Sequence, residues 1–373
     1  MRKSTLKYLE ERRENVIQGY VNCIPSPFKR FKDAFIGIEQ GSYMAITSYT
    51  KGGKTQFTLN LLFNALIYAI EHPDSLRLKI FYFCLEETAQ KIYIRFMCWI
   101  LCRIDKIRVS PRDLKSSTNT PIDERILNLL KEEKYKKYFD AFEEIFQFSN
   151  TSNPTGIYKE CKAYAEKNGT VITKTVSFSE TPVFDRYEAN DPHEYRVVVI
   201  DHISLIDQER GFSKKEAIDK LSEYLSMHLR NRYNFSPIVI QQQSTENESA
   251  DNVKLSRIRP SGAGLSDSKY IQRDVDTLIG LFSPYKFGLK EYMGYDITLL
   301  KDNIRFLEVL AAREGTVGSI IALYFDGATC TFHELPKPED MKEIYSSIKV
   351  KPVLIIRKGT KKWVKNILKK TIK

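Results

Sequence analysis

Ser48-Tyr49-Thr50-Lys51-Gly52-Gly53-Lys54-Thr55 is the stretch that sets the fold of this chain. An apolar run, Tyr43–Ile46, precedes this stretch, and an amphipathic run, Phe57–Leu66, follows it. A strand, a glycine turn and a helix in that order are typical of a phosphate-binding loop. In such a loop the backbone N–H groups hold phosphates, Lys54 reaches the terminal phosphates, and the Thr55 hydroxyl ligates Mg²⁺.

One position departs from the phosphate-loop pattern GxxxxGK[ST]. Ser48 occupies the place of the first glycine. A glycine turn followed by a chance Lys-Thr pair is therefore the alternative, because short motifs also arise by chance.

Composition narrows the class of protein. At 373 residues with 42% hydrophobic residues, the chain is long enough for one large α/β domain or two smaller ones. The net charge of +11 indicates a polyanionic partner, either a nucleic acid or a membrane surface. Six cysteines without a CxxC pair favour reduced thiols over disulfides or a zinc site. Without a membrane-length apolar run or a signal-peptide core, the chain is predicted to be cytoplasmic and free of membrane.

Short apolar runs alternate with helical segments along the chain. The strand-like runs are Leu78–Leu85, Arg196–Ile200, Ser236–Ile240, Thr277–Leu281, Phe306–Ala311 and Ile320–Phe325. This alternation predicts an α/β fold with a mostly parallel twisted sheet, helices on both faces, and ligands at the carboxyl ends of the strands. The span from 113 to 167 is predicted to be helical throughout.

The chain divides into three predicted parts. Residues 1–22 form a charged helical arm that we expect to contact a neighbouring subunit, 23–335 the α/β domain, and 336–373 a basic tail. Within the domain, 170–196 is polar and strand-prone, which predicts an inserted hairpin. The segment 244–269 is rich in Ser, Asn, Gly and Pro, which predicts a mobile basic loop.

Acidic residues end two of the predicted strands. Val197–Asp201 is an apolar strand that ends in a carboxylate, the Walker B arrangement, and Asp201 would complete the Mg²⁺ site. Glu86 ends another strand and would act as the general base for an attacking water. Three alternatives stay open: Asp201 as a surface turn residue, Glu87 as the base, or both glutamates as the start of a helix.

Three glutamines, Gln241–Gln243, close the strand that begins near Ser236. A glutamine there can hydrogen-bond a γ-phosphate and report its loss to the loop that follows. The spacing alone also fits a simple polar strand end.

With these motifs in order, the chain resembles the RecA-like ATPase domain of hexameric replicative DNA helicases of the DnaB family. The resemblance covers residues 20–335. Cys84-Leu85-Glu86 is similar to the family's Ser-Leu-Glu signature, which selects Glu86 as the catalytic base. Val197–Asp201 is similar to its Walker B strand, with His202-Ile203 where a Tyr-Leu pair is usual. The family's sensor glutamine aligns best with Gln243.

Two later segments extend the resemblance. Ile271–Asp276 is similar to the family's Ile-Glu-Gln-Asp-Ala-Asp stretch, and Leu310–Gly315 to its Lys-Gln-Arg-Asn-Gly segment. The resemblance implies that Arg313 is an arginine finger that reaches the γ-phosphate on a neighbouring subunit. Ala311 replaces the family's lysine, which removes one positive charge from that site. From the residue alone, Arg313 as a surface charge is the alternative.

The resemblance also implies cofactors, an assembly and an activity. It implies ATP and Mg²⁺, a homohexameric ring, translocation on single-stranded DNA, and primase or other replication proteins as partners. Two loops would grip the DNA phosphates, although both also fit solvated turns. The candidate DNA-binding residues are Arg210, Lys214 and Lys215 in the loop 208–215 and Lys254, Arg257 and Arg259 in the loop 244–269.

The ends of the chain depart most from the family. Only the short charged arm stands where the family has a helical primase-binding domain, which suggests a bacteriophage protein acting in the host cytoplasm. Two other functions stay open: a RecA- or KaiC-like ATPase that binds DNA or protein without unwinding, and a scaffold that loads another helicase.

Overall fold

The computed structural model describes residues 2–175, 182–248, 258–267 and 270–350. Its strands are β1 (Cys23–Pro25), β2 (Gly37–Glu39), β3 (Met44–Ser48), β4 (Arg77–Cys84), β5 (Phe146–Ser149), β6 (Gly169–Lys174), β7 (Val183–Ala189), β8 (Glu194–Asp201), β9 (Ser236–Gln242), β10 (Thr277–Phe282), β11 (Glu291–Tyr292), β12 (Tyr295–Asp296), β13 (Ile304–Ala312), β14 (Ile320–Asp326) and β15 (Thr331–Glu334).

Helices fill the longer connections between these strands and lie at both ends of the described chain. They are α1 (Arg2–Ile17), α2 (Lys54–Glu71), α3 (Ala89–Asp105), α4 (Pro111–Leu114), α5 (Glu124–Leu129), α6 (Glu133–Ile145), α7 (Pro154–Lys167), α8 (Lys214–Glu223), α9 (Asn231–Tyr233), α10 (Tyr270–Asp274), α11 (Ile297–Leu300) and α12 (Lys342–Val350). A π-helical segment, Tyr224–Arg230, joins α8 to α9.

A nine-stranded sheet forms the centre of the molecule, in the order β15-β14-β13-β10-β3-β9-β8-β4-β5. The six strands from β10 to β5 in this order run parallel, and β13, β14 and β15 continue the sheet antiparallel. All five residues of β3 are buried, as expected for a parallel strand with helices on both faces. The predicted α/β fold with a mostly parallel sheet is confirmed.

Alternate residues of the central strands enter two separate cores. Ile46, Val197 and Val199 pack in one core with residues of α2, α3 and α6. Ala45 and Val198 pack in the other, with residues of α7, α8, α9 and α10. Because successive side chains of a strand point to opposite faces, a continuous apolar run fills both cores.

The prediction of continuous helix over 113–167 is wrong at Phe146–Ser149, which form the edge strand β5. β5 pairs in parallel with β4, with Phe146 opposite Ile80. The ring centroids of Phe142 and Phe146 lie 4.4 Å apart, within an aromatic cluster. Pairing and packing outweigh the helical composition of the neighbouring segments here.

The peripheral segments surround this core. Within 170–196, β6 and β7 pair antiparallel in a sheet of their own, and Glu194–Arg196 already belong to β8.

The arm α1 attaches to the domain through Arg12, whose guanidinium donates to Glu39 at 2.6 Å. Residues 351–373 of the predicted basic tail lie outside the described residues. Across the described ranges, none of the helices combines the length and apolarity needed to span a bilayer.

Candidate nucleotide-binding site

The phosphate loop connects β3 to α2 at the carboxyl edge of the parallel strands. β3 ends at Ser48 and α2 begins at Lys54. A Cβ on Gly52 would lie 2.3 Å from Ser48 Oγ and 2.9 Å from Tyr49 O, so glycine is required there. The Ser48 hydroxyl donates to Tyr49 O at 2.9 Å. The loop therefore accommodates serine in place of its first glycine because Gly52 leaves the necessary room.

The backbone of the loop forms a concave surface for an anion. Lys51 and Gly53 have positive φ angles of 59° and 100°. Such left-handed residues turn successive N–H groups toward one side. Gly52 N–H donates to Tyr49 O at 3.0 Å, whereas Lys51 N–H and Gly53 N–H have no acceptor in the described parts of the chain. Two free amides at the N-terminus of α2 fit the phosphates of a nucleotide.

Lys54 lies inside the loop and is only 7% exposed. Its Nζ donates to Ser48 O and to Tyr49 O, both at 3.3 Å. Burial lowers the pKa of Lys54 to about 8, and the carboxylates of Glu86 and Asp201 oppose this shift. A polyphosphate on the loop would favour the charged ammonium further.

Thr55 and Asp201 meet directly, although they come from different elements. The Thr55 hydroxyl donates to Asp201 Oδ1 at 3.1 Å, and the Tyr82 hydroxyl donates to Asp201 Oδ2 at 2.6 Å. Burial raises the pKa of Asp201 to about 6, and these two hydrogen bonds lower it. The geometry supports Asp201 as a site residue rather than a surface turn, since its exposure is 2%.

The oxygen set of Thr55 and Asp201 fits Mg²⁺. This ion is usually held by one or two carboxylates together with substrate phosphates, rather than by a protein cage. Within the described residues, no cluster of three or more His, Cys, Asp or Glu forms such a cage. Thr55 and Asp201 are therefore the residues that would hold the ion beside the phosphates.

The two glutamates after β4 have different surroundings. Glu87 forms a double hydrogen bond with Arg95 at 2.6 and 3.0 Å. The side chain of Glu86 is 50% exposed, and its Oε2 lies 3.9 Å from His202 Nε2. The N-cap of α3 is Thr88, so neither glutamate caps that helix. The geometry favours Glu86 over Glu87 as the group that reaches an attacking water.

The glutamines at the end of β9 contact different partners. Gln243 is 2% exposed, and its amide donates to Thr47 Oγ1 and to Ser261 O, both at 3.0 Å. Gln242 Nε2 lies 3.5 Å from His202 Nε2, beside Glu86. Gln243 thus ties the end of β3 to the segment 258–267, while Gln242 is the glutamine nearer to Glu86.

Arg313 lies at the opposite edge of the sheet from the phosphate loop. Ala312 pairs with Thr277, and Thr277 pairs with Met44, the first residue of β3. The Arg313 guanidinium contacts Asp276 at 3.2 Å and donates to Arg273 O at 2.9 Å. Since the phosphate loop follows the other end of β3, Arg313 does not reach the loop of its own chain.

Comparisons with known proteins address the fold. The chain is similar to a solved structure described as an ATPase domain, with a TM-score of 0.61 and 16% identity, over 90% of this chain and 98% of that one. It is also similar to a DnaB-like replicative helicase described with its interactions with primase, with a TM-score of 0.59 and 17% identity, over 90% of this chain and 67% of that one. The chain has the RecA-like fold of DnaB-like helicase ATPase domains. No protein-family model and no curated protein matches the sequence.

Four of the six basic residues expected to grip DNA lie within the described parts of this RecA-like domain. Arg210 and Lys215 are exposed, and Lys215 Nζ lies 5.5 Å from the centre of the Tyr270 ring. Lys214 donates to Ile206 O, and Arg259 forms an ion pair with Glu308. Lys254 and Arg257 lie outside the described residues.

Two residues of the RecA-like domain contact the phosphate loop without having been predicted from the sequence. Arg305 Nε donates to Gly52 O at 2.8 Å, and Lys286 Nζ donates to Thr50 O at 3.1 Å. Lys286 belongs to no sequence motif, so nothing in the sequence indicated its contact with the loop. The sequence signal for Arg305 is its position between Ile304 and Phe306, at the start of an apolar strand, because an arginine buried there needs partners.

Proposed function

We propose that this protein is an ATP-dependent replicative DNA helicase that forms a ring and translocates on single-stranded DNA. The observation that carries the proposal is the gathering of Lys54, Thr55, Asp201 and Glu86 at one edge of the sheet, with Arg313 at the opposite edge. The first four residues supply the parts that phosphoryl transfer to water requires. The position of Arg313 supports its action on the next subunit.

Each residue of the site has a distinct task in this proposal. The amides of Lys51 and Gly53 bind the phosphates, and the Lys54 ammonium neutralises their charge. Thr55 and Asp201 hold Mg²⁺, which when bound stabilises negative charge on the phosphates. Glu86 orients the attacking water and accepts its proton, and its half-exposed carboxylate is accessible to that water.

The positions of the phosphate loop and Arg313 at two edges of the sheet support a ring. If Arg313 of one subunit serves the phosphate loop of the next, the interface is head-to-tail, and such interfaces close into rings when the rotation permits. An arginine finger contributes about 10³–10⁵ in rate in characterised cases. We therefore propose a homohexamer in which hydrolysis depends on the interface.

The link from the site to DNA runs through β9. Gln243 joins Thr47, just before the phosphate loop, to Ser261 in the segment that follows β9. Movement at the phosphates would reach the basic loop 244–269 through these hydrogen bonds. The exposed Arg210 and Lys215, with Lys214, Lys254, Arg257 and Arg259, would supply salt-sensitive contacts to DNA phosphates. We propose that the helicase works with primase or other replication proteins in the cytoplasm. For a viral protein, this is the cytoplasm of the host cell.

Strand displacement on forked DNA tests the proposal, with Lys54→Ala as the inactive control. ATP-dependent unwinding that disappears in Lys54→Ala supports the helicase. DNA-stimulated hydrolysis without unwinding would indicate a RecA- or KaiC-like ATPase, and neither activity would indicate a loading scaffold. Particle mass with and without nucleotide tests the ring separately.

A further inference from the structure

Two cations from outside the motif contact carbonyl oxygens of the phosphate loop. They are Arg305 on Gly52 O and Lys286 on Thr50 O. Lys286 lies between β10 and β13, and Arg305 is the second residue of β13. Because β10 pairs with β3, with Gly280 opposite Thr47, this region lies at the same edge of the sheet as the loop.

The two contacted carbonyls immediately precede two of the free amides of the loop, those of Lys51 and Gly53. In a planar trans peptide, the C=O of one residue and the N–H of the next point in opposite directions. A cation that holds Thr50 O therefore aims the Lys51 N–H to the other side, and one that holds Gly52 O does the same for Gly53 N–H. The cation also polarises the peptide, which strengthens the N–H as a donor.

We propose that Arg305 and Lys286 are positioning residues, which hold the Thr50 and Gly52 carbonyls so that the next two amides face the nucleotide phosphates. This inference rests on the proposed function, because it requires phosphates at this loop. In this inference, Lys286 and Arg305 strengthen nucleotide binding without touching the nucleotide themselves.

Arg305 is the fixed member of this pair. It is 1% exposed and also donates to Asp302 O at 2.7 Å, Ile304 O at 2.8 Å and Asp302 Oδ1 at 2.9 Å. Its guanidinium carbon lies 4.6 Å from the centre of the Phe325 ring. A buried cation is retained only when its donors are satisfied, so this set of acceptors leaves Arg305 one orientation.

Lys286 is the more exposed member of the pair. Its side chain is 28% exposed, and its Nζ forms an ion pair with Glu248 Oε1 at 2.6 Å. Glu248 ends the 3₁₀ turn Thr245–Glu248, at the beginning of the candidate DNA-binding loop 244–269. Lys286 Nζ contacts Glu248 Oε1 and Thr50 O at the same time, and the contact with Thr50 O does not depend on the charge of Glu248. Lys286 thus connects the phosphate loop to the turn Thr245–Glu248.

Calorimetric titration of Mg-ATP and Mg-ADP into the full chain without DNA tests the inference. Lys286→Met should raise both dissociation constants by a similar factor of about ten, because it weakens backbone donors rather than a contact to one phosphate. Lys286→Arg should restore much of the affinity. Lys290→Met, an exposed lysine of the same region, is the matched control and should bind like the unaltered chain.

Two further measurements separate positioning from other roles. The thermal midpoint of nucleotide-free Lys286→Met should match that of Lys290→Met, which a purely structural role would not allow. The loss should persist at about 0.5 M salt, where an effect of distant charge would be screened. Glu248→Gln should leave both dissociation constants within about threefold, since Lys286 keeps Thr50 O.

Three results would overturn the inference: equal affinities for Lys286→Met and Lys290→Met, a loss confined to ATP, or a loss abolished by salt. Arg305→Lys should also weaken both nucleotides, but its burial makes folding a separate question, so Lys286 decides the test. Nucleotide binding by the unaltered chain tests the site on which the proposed function depends. The ratio of the variant's affinity to that of the unaltered chain tests the positioning role. No binding by the unaltered chain would reject both.

Discussion

Arg305 and Arg313 lie at opposite ends of β13 and serve opposite edges of the sheet. Arg305 contacts Gly52 O in the phosphate loop, and Arg313 contacts Asp276 beyond the other end of β10. At about 3.3 Å per residue, the two lie roughly 25 Å apart along the strand. One strand therefore connects the phosphate site of a subunit to the arginine that we assign to its neighbour.

Mixing Arg313→Ala subunits with Lys54→Ala subunits should restore part of the ATP hydrolysis that each variant lacks alone. In a mixed ring, some interfaces combine an intact phosphate loop with an intact Arg313 from the adjacent subunit. Phosphate release at several mixing ratios measures this recovery. Arg273→Ala, which removes a neighbouring exposed arginine, should hydrolyse normally. The trans assignment fails if rings shown by mass to be mixed remain inactive.

Glu86→Gln should bind ATP normally and lose turnover by at least about a hundredfold, because the amide cannot accept the proton of the attacking water. Glu87→Gln is the matched control. It should keep turnover and lose about 1–3 kcal/mol of unfolding free energy, because it weakens the double hydrogen bond to Arg95. Single-turnover hydrolysis and thermal unfolding distinguish the two. Normal turnover in Glu86→Gln would place the base elsewhere.

The stability of the metal-free protein should depend on pH through Asp201. Burial raises the pKa of Asp201 from 3.8 to about 6, so the folded chain binds this proton more tightly than the unfolded chain. The free energy of unfolding should therefore fall by up to about 3 kcal/mol as pH rises from about 4 to about 6. Denaturant titrations across this window measure the slope, and Asp201→Asn should reduce it. An identical slope in that variant would contradict the assignment.

Tyr82→Phe should move the same transition to higher pH. The Tyr82 hydroxyl donates to Asp201 and stabilises its ionised form, so the pKa of Asp201 should rise when the hydroxyl is removed. Mg²⁺-dependent nucleotide binding requires the ionised carboxylate, and its pH midpoint should rise in parallel. An unchanged midpoint would show that Tyr82 does not tune this group.

Gly52→Ala should weaken nucleotide binding by about ten- to a hundredfold, because the new methyl would clash with Ser48 Oγ and Tyr49 O. Ser48→Gly alone should have little effect, since it restores the usual glycine. In the double variant, affinity should recover in part, because the contact with Ser48 disappears while that with Tyr49 O remains. If the double variant binds nucleotide as weakly as Gly52→Ala alone, Ser48 and Gly52 do not share this space.

The local pattern of apolar residues in the sequence predicted much of the fold. The apolar runs of β3, β4, β8, β9 and β10 were all anticipated, because a strand buried on both faces is continuously apolar. β5 was missed, because Phe146–Ser149 lies between helical segments and becomes a strand only through pairing with β4. The partners of the glutamines could not be predicted either, since Gln242 and Gln243 are adjacent and chemically identical, and only the folded chain places His202 beside one and Thr47 beside the other.

Residues adjacent along the chain were enough to establish the phosphate loop, the acidic ends of β4 and β8, and the alternation that makes a parallel sheet. Each of these features is local, so it can be recognised before any folding is considered. Other contacts depend on the folded arrangement: Thr55 meets Asp201, Arg95 engages Glu87, and Lys286 and Arg305 hold loop carbonyls. Most of these contacts join residues far apart in sequence, so they exist only once strand order and register have brought the edges together.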